Sequence, residues 1–396
     1  MKNILPAILI VSACTLCGQV KDKVFSYLPL KENLEAASGA KLKALFYRKS
    51  VARTPDFKEA AAGQPRFWKG EVFLEPGGNT MERGTINLLS AKEDPFDKSG
   101  AKVQKAEGFT PAAFSFDGKV TLKPVKFNMT KKFLGRDFIF SFYAKGSGVL
   151  KFTSEATLVN GNKKAYPAQN IQLTKDWNRY FVQVKGAPKF GPEDLASFTA
   201  VLEGKDVAVD AAMLETPCSY FGVCSPTSYV ANGAIREADY LRFNGLTPEL
   251  GLEGAFSFNF TPTSTGNWQT LLSVGKGGWE RDNELELNYY TDRWSGFLKI
   301  SVFRKTKSQF KRVTLKLGQK YHILINYDKE SYTIYLDGKK LMTEKIAGVP
   351  FKTDSVFLGS RSIQAHSAGL YSNFTIFKKA LTEAEIAELA KAPELK

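Results

Sequence analysis

The 396-residue chain carries 55 Lys and Arg against 40 Asp and Glu, a formal charge of +15, and only two His. So few imidazoles leave no material for a His-rich metal centre, and no apolar run reaches the ~18 residues that span a bilayer. The 30 Phe and 15 Tyr weight the composition toward strands, and the length allows two or three domains of about 100–200 residues each.

Met1-Lys2-Asn3 followed by the apolar run Ile4–Ala13 reads as a secretory signal, residues 1–13, and not as a span. Val11-Ser12-Ala13-Cys14 resembles a bacterial lipobox. That resemblance implies lipidation of Cys14, a membrane anchor, and a place at the cell surface or in the periplasm. Ordinary signal cleavage near Cys17-Gly18, giving a secreted protein, is the alternative. Residues 14–84 form an N-terminal extension of short apolar pieces and Lys-rich stretches, expected to pack on a later domain.

From residue 85 a period of two takes over. Ala113–Phe116, the dipeptide Asp117-Gly118 and Val120–Leu122 predict a hairpin with a two-residue turn. Phe138–Tyr143, Val149–Phe152, Ile171–Leu173, Tyr180–Val184, Phe198–Leu202 and Val207–Leu214 predict further short strands, hence a sandwich or jelly roll. Phe138–Lys145, Leu173–Tyr180 and Val209–Glu215 together resemble a carbohydrate-binding-module jelly roll of the family 4/9 type, over residues 85–216. Within that motif Trp177 is assigned to the core.

Residues 217–244 read as a connector holding Cys218 and Cys224. Export would allow these two to form a disulfide, and their spacing is not that of a zinc knuckle. Residues 245–396 alternate most clearly, through Gly254–Phe260, Thr270–Gly275, Tyr321–Tyr327, Tyr332–Leu336, Val356–Leu358 and Leu370–Phe377. A short helix opens at Leu381–Ile386, with Thr382 and Glu385 spaced as a capping box. This order resembles a laminin-G-like, concanavalin A-like lectin domain. The fold class expected is all-β, with two tandem β-sandwiches (a jelly roll, then the concanavalin A-like/laminin-G-like domain) and a short C-terminal helix.

The concanavalin A-like resemblance brings glycoside hydrolases of the family-16 type into view, which need paired carboxylates. Glu284-Leu285-Glu286-Leu287-Asn288 is the nearest match. Glu284 would be the nucleophile, but Asn288 at the acid/base position cannot donate and recover a proton. The plainer reading is a solvent-facing strand with Leu285 and Leu287 buried. His322 falls in an apolar strand and His366 in a loop, neither with a nucleophile partner in the sequence.

Binding readings have more parts. Trp279 and Trp294 sit at loops, Arg281 and Asn283 lie beside the first, and Tyr289 and Tyr290 end the intervening strand; aromatic platforms with amides and charges suit sugars. Trp268 precedes a strand and is expected to pack. From Arg293 through Tyr327 the chain has nine basic residues and no acid. Of these, Lys299, Arg304, Lys305, Lys307, Lys311, Arg312 and Lys316 would form a patch for anionic ligands. Both resembled folds imply structural Ca²⁺ held by loop acids, here Asp239, Asp282 and Asp292; no other cofactor is implied. The functional expectation is non-catalytic binding of extracellular, anionic polysaccharide or glycoconjugate at the bacterial cell surface, with the membrane reached through the lipid anchor and no nucleic-acid partner. The alternative is a structural or adhesion protein engaging protein partners, and a family-16-like hydrolase stands third.

Overall fold

A computed structural model describes residues 20–48, 52–53, 56–74, 87–89, 93–127, 137–185, 192, 194–215, 239–263, 269–276, 283–291, 296–302, 310–345, 351–361 and 367–391. The first seven strands are β1 (Val24–Leu28), β2 (Ser38–Gly39), β3 (Lys43–Tyr47), β4 (Ala52–Arg53), β5 (Glu59–Ala60), β6 (Phe67–Trp68) and β7 (Glu71–Leu74). The middle of the chain supplies β8 (Phe96–Asp97), β9 (Ala101–Lys105), β10 (Phe114–Lys126), β11 (Phe138–Gly146), β12 (Val149–Leu158), β13 (Lys163–Gln172), β14 (Asn178–Val184) and β15 (Leu195–Glu215). Then follow β16 (Tyr240–Asn244), β17 (Gly254–Pro262), β18 (Gln269–Gly275), β19 (Asn283–Thr291), β20 (Gly296–Val302) and β21 (Phe310–Arg312). The last are β22 (Tyr321–Tyr327), β23 (Tyr332–Leu336), β24 (Lys339–Glu344), β25 (Ser355–Leu358), β26 (Gly369–Phe377) and helix α1 (Glu383–Lys391). No helix among the described residues is long and apolar enough to cross a membrane.

The chain divides into two compact units: a middle unit of Ser50–Ala61 and Gly77–Ala238, and a composite unit of Met1–Lys49, Ala62–Pro76 and Asp239–Lys396. In the middle unit the strand order is β13-β12-β15-β10-β8, with β9 on β10 and β11 between β14 and β15. Alternation sends Phe138, Phe140 and Phe142 of β11 inward to meet Leu150 and Phe152 of β12 and Phe198 of β15. Phe140 lies 6.0 Å from Phe152 and 5.5 Å from Phe198, ring centre to ring centre. The all-β sandwich expected here is what forms.

Its construction differs from the expectation in one respect. Asp117-Gly118 is not a hairpin turn: β10 continues through it, antiparallel to a single β15 in place of the two strands expected. Phe114–Phe116 pair with Val209–Val207 and Val120–Leu122 with Leu202–Ala200, with register breaks between. Gly118 does adopt the positive φ that an Asp-Gly pair favours, at 116°, but spends it on a bulge that bends the strand. The partner bends opposite it at Gly204 and Asp206, the latter at φ 51°, and the Asp206 N–H donates to Asp117 Oδ1 at 2.6 Å.

The composite unit has two sheets, β2-β1-β26-β17-β22-β23-β24 with β7 on β26, and β21-β20-β19-β18-β25-β16-β3. Phe256, Phe258 and Phe260 from the first and Leu285, Leu287, Val356 and Leu358 from the second share one core. Strands from residues 24–74 complete both sheets: β1 and β7 pair with β26, and β3 pairs with β16. Their Leu28, Phe46, Val72 and Leu74 join the same core.

Asp239 accepts from Arg48 at 3.2 Å and also from Arg66, and all three side chains are fully buried. The Arg66 guanidinium lies 4.7 Å from the Phe73 ring centre. Two guanidiniums on its carboxylate leave no place for a cation, so Asp239 is not a Ca²⁺ ligand; Asp282 and Asp292 lie outside the described residues. Helix α1 begins with the expected box: the Glu385 N–H donates to Thr382 Oγ1 at 3.3 Å, and Glu385 Oε2 accepts from the Thr382 N–H at 2.7 Å. Burial would raise the Glu385 carboxyl, but hydrogen bonds from Lys23 and Thr382 outweigh it and hold the group below its ordinary range. Ile386 and Leu389 then close over Val20, Ala255, Leu324 and Phe377.

Candidate functional site

The seven-stranded sheet turns one face to the shared core and the other away from it. On β19 the inward positions are Leu285, Leu287 and Tyr289, so Glu284, Glu286 and Asn288 occupy the opposite face. Register then runs one line across that face, through Arg242 on β16, Phe357 on β25, Ser273 on β18 and Glu286 on β19 to Ser301 on β20. The line is polar apart from Phe357.

Its parts are hydrogen-bonded to one another. Thr270 Oγ1 donates to Asn288 Oδ1 at 2.7 Å, Asn288 Nδ2 donates to Glu286 Oε2 at 3.1 Å, and Glu286 Oε1 lies 2.8 Å from Arg361 Nε. Ser273 donates to the Ser360 carbonyl at 3.1 Å. At the β16 end the Arg242 Nη2 donates to Ser355 Oγ at 2.6 Å, and its guanidinium lies 5.5 Å from the Phe357 ring centre. Glu286 is 3 % exposed and Asn288 0 %, whereas Arg242, Asn244 and Tyr240 are half-exposed. A buried carboxylate is tolerated because the guanidinium and amide supply the partners water would otherwise provide.

These positions revise the reading of the carboxylate strand. Leu285 and Leu287 are buried as expected, but Glu286 and Asn288 are buried too, since β19 is interior to its sheet. The Glu284 carboxylate accepts from the Lys352 N–H at 2.9 and 2.7 Å. Burial raises its proton affinity, against the hydrogen bonds from the Lys352 and Thr353 backbone. Glu284 thereby anchors the chain entering β25.

Tyr289 is a core residue, 1 % exposed, not a sugar platform; its hydroxyl accepts from the Leu315 N–H at 3.2 Å. The Tyr321 hydroxyl accepts from the Lys316 N–H at 2.8 Å. These two phenols fix the segment after β21, and Lys311 and Arg312 on β21 and Lys316 on that segment are all exposed. Lys311 and Arg312 are consecutive on an edge strand and so take opposite faces. Lys299 stands at the register position facing Asn288. Asn283 opens β19 and Tyr290 lies near its end, about 24 Å apart at ~3.4 Å per residue. The side chains of Lys299, Asn283 and Tyr290 lie outside the described residues, as do Trp268, Trp279, Arg281, Trp294, Arg304, Lys305, Lys307, Cys14, Cys218 and Cys224.

His322 is buried on the outer side of the other sheet, its Nε2 2.8 Å from Ser257 Oγ. Trp177, assigned to the core from the sequence, is half-exposed and lies 5.6 Å from Phe109. Arg242, Ser355 and Arg361 escaped the sequence reading because they lie more than a hundred residues from β16 to β25, and only strand pairing brings them to one face. The Gly359-Ser360-Arg361 turn directly after a buried strand was the signal available for Arg361.

Residues 237–387 match the family model described as the concanavalin A-like lectin/glucanases superfamily. No curated protein matches the chain in sequence. Among solved structures, a heptameric SAP-like pentraxin from Limulus polyphemus is 17% identical, with TM-score 0.32, over 38% of this chain and 75% of its own. Domain 4 of an extracellular arabinanase from Geobacillus stearothermophilus, in complex with arabinotriose, is 17% identical with TM-score 0.31, over 39% and 73%. A Ruminococcus gnavus sialidase carbohydrate-binding module bound to α2,3-sialyllactose is 17% identical with TM-score 0.30, over 37% and 83%. The stretch from β16 into α1 is a concanavalin A-like domain within an all-β chain.

Proposed function

We propose that this protein binds polysaccharide without cleaving it, through the outward face of the seven-stranded sheet of its composite unit. The observation that carries the reading is the open β16 end of that face, where half-exposed Tyr240, Arg242 and Asn244 stand in alternation, Arg242 donating to Ser355 Oγ, next to the buried network of Glu286 and Asn288. Such a set matches the hydroxyl rim of a sugar. The exposed Lys311, Arg312 and Lys316, on and just after the edge strand β21 of the same sheet, favour anionic glycans. The carboxylates support a non-catalytic reading: Glu284 serves a backbone amide, Glu286 an arginine, and the third position is Asn288. Export and a lipid anchor at Cys14 complete the reading, tested by palmitate labelling of the parent and of Cys14→Ser.

A second reading, adhesion to protein partners, is favoured by how deeply Thr270, Ser273, Glu286 and Asn288 are buried. A glycan array run with the mature chain at low and moderate salt separates the two. Binding to acidic glycans that weakens with salt, and falls in Arg242→Ala and in the triple variant Lys311→Ala/Arg312→Ala/Lys316→Ala, supports the sheet-face reading. Neutral, salt-insensitive binding removes the basic edge from it. Silence at both salts overturns glycan binding and leaves adhesion.

A further inference from the structure

The middle unit carries a cluster that the sheet face of the other unit does not involve. On β11 the residues alternating with Phe140 and Phe142 are Ser141, Tyr143 and Lys145, which look away from the core. Around Tyr143 gather Phe57 from between β4 and β5, Phe109 from between β9 and β10, and Trp177 from between β13 and β14. Phe57 and Phe109 stack in parallel, 4.1 Å between ring centres, and Tyr143 meets them edge-on at 5.0 and 5.3 Å. Trp177 tilts against Phe109 at 5.6 Å. The Lys145 ammonium lies 4.8 Å from the Trp177 ring centre, and the Arg179 guanidinium 5.4 Å from that of Tyr143. Phe57, Phe109, Trp177, Lys145 and Arg179 are all half-exposed.

The surroundings hold these side chains in place. Asp210, buried on β15 opposite Tyr143, accepts from the Thr110 N–H at 2.8 Å, from Thr110 Oγ1 at 2.5 Å and from the Ala211 N–H at 2.6 Å. This fixes the loop that presents Phe109. A side chain at Gly108 would sit 2.5 Å from the same carboxylate. Asn178 Nδ2 donates to Thr174 Oγ1 at 2.7 Å, which closes the turn that presents Trp177. Phe57 sits at φ 62°, a conformation that bulky residues rarely adopt and that ligand clamps often retain.

We propose that this cluster is a saccharide site, separate from the sheet face, and that its ligand is an acidic sugar of the uronic-acid type. Half-exposed aromatic faces take the C–H face of a pyranose ring, and two cations border them. Asp210, the buried carboxylate that the described residues of the cluster include, is already met by three donors. Lys145 makes no ion pair among the described residues, and the exposed Glu107 and Asp176, nearest in sequence to Phe109 and Trp177, make none with it. A ligand carboxylate would supply the missing anion, and the ring would cover the apolar surface.

The test is a titration of the full chain with trigalacturonate and with its methyl ester, whose carboxylates are masked, read by calorimetry and tryptophan fluorescence. It is run in the parent and in the Lys311→Ala/Arg312→Ala/Lys316→Ala background, which removes the basic edge of the other unit. In both, the acid should bind more tightly than the ester. Lys145→Met, which keeps the stem over the ring, should weaken the acid about tenfold, the worth of one charged hydrogen bond, and leave the ester unchanged. Trp177→Ala should weaken both ligands. Equal binding of acid and ester, or an unaltered Lys145→Met, overturns the proposal, as does silence in the triple background even where the parent binds. If Trp177→Ala loses its circular dichroism, Lys145→Met alone decides.

Discussion

Replacing Asp239 by Asn tests what holds the composite unit together. The carboxylate is shared by Arg48 and Arg66, and all three side chains are fully buried. Asn keeps the shape but removes the charge, leaving two guanidiniums in the interior without their counter-ion. Removing one partner of a buried ion pair costs about 3–5 kcal/mol, and one carboxylate serving two cations places this site at the upper end. With a urea slope of about 3 kcal/mol per molar for a unit of this size, the midpoint should fall by about 1.5 M, read by circular dichroism. Salt should restore little, because screening reaches buried charges weakly. Replacing the whole cluster, as Arg48→Met/Arg66→Met/Asp239→Leu, should recover most of the loss, since the penalty lies in the stranded charges. A fall of less than about 0.5 M in Asp239→Asn, or a triple variant as unstable as the single one, would refute this account.

Two further outcomes can be checked in the same way. Burial lowers the His322 pKa from 6.5 to about 4, so the unfolded chain binds the proton more readily and stability present above pH 6.5 is lost as pH falls toward 4. The shift corresponds to roughly 3 kcal/mol, and His322→Gln should flatten the urea midpoint between pH 7 and 4.5 relative to the parent; parallel curves would dismiss the imidazole. Gly118→Ala places a Cβ 2.6 Å from the Gly100 carbonyl oxygen at φ 116° and should cost about 1–3 kcal/mol in the melting of the middle unit, whereas an unchanged melt would mean the β10 bend needs no glycine.

Alternation made much of the fold legible. Phe256, Phe258 and Phe260 and, opposite them, Tyr321, Ile323 and Ile325 announce their strands and their buried faces without help. What failed was whatever depends on a distant partner. Strands β1, β3 and β7 are four or five residues long, too short for a period to declare itself, and pair with strands about 190 to 350 residues away. Asp117-Gly118 carries the composition of a turn, and only β15 alongside shows that it bends a strand. Alternation likewise told which face Glu286 takes but not that its side chain is buried there, because Arg361 arrives from another strand's end. Trp177 followed a motif that places it beside a strand, without the loop that leaves it half-open.

The pairing of β1 and β7 with β26 has a consequence for how the chain comes into being. Leu28 and Val72 leave the ribosome long before Phe374 and Ile376, their core neighbours, exist. The middle unit, whose strands lie close together in sequence, can finish first, while the early strands wait with bare edges for a partner almost the whole chain away. Loop closure over that distance is slow, so the interval is one in which a chaperone has most to do. A fragment that starts after residue 84 would lack β1, β3 and β7 and leave β26 and β16 each with an open side, an invitation to pair with another copy.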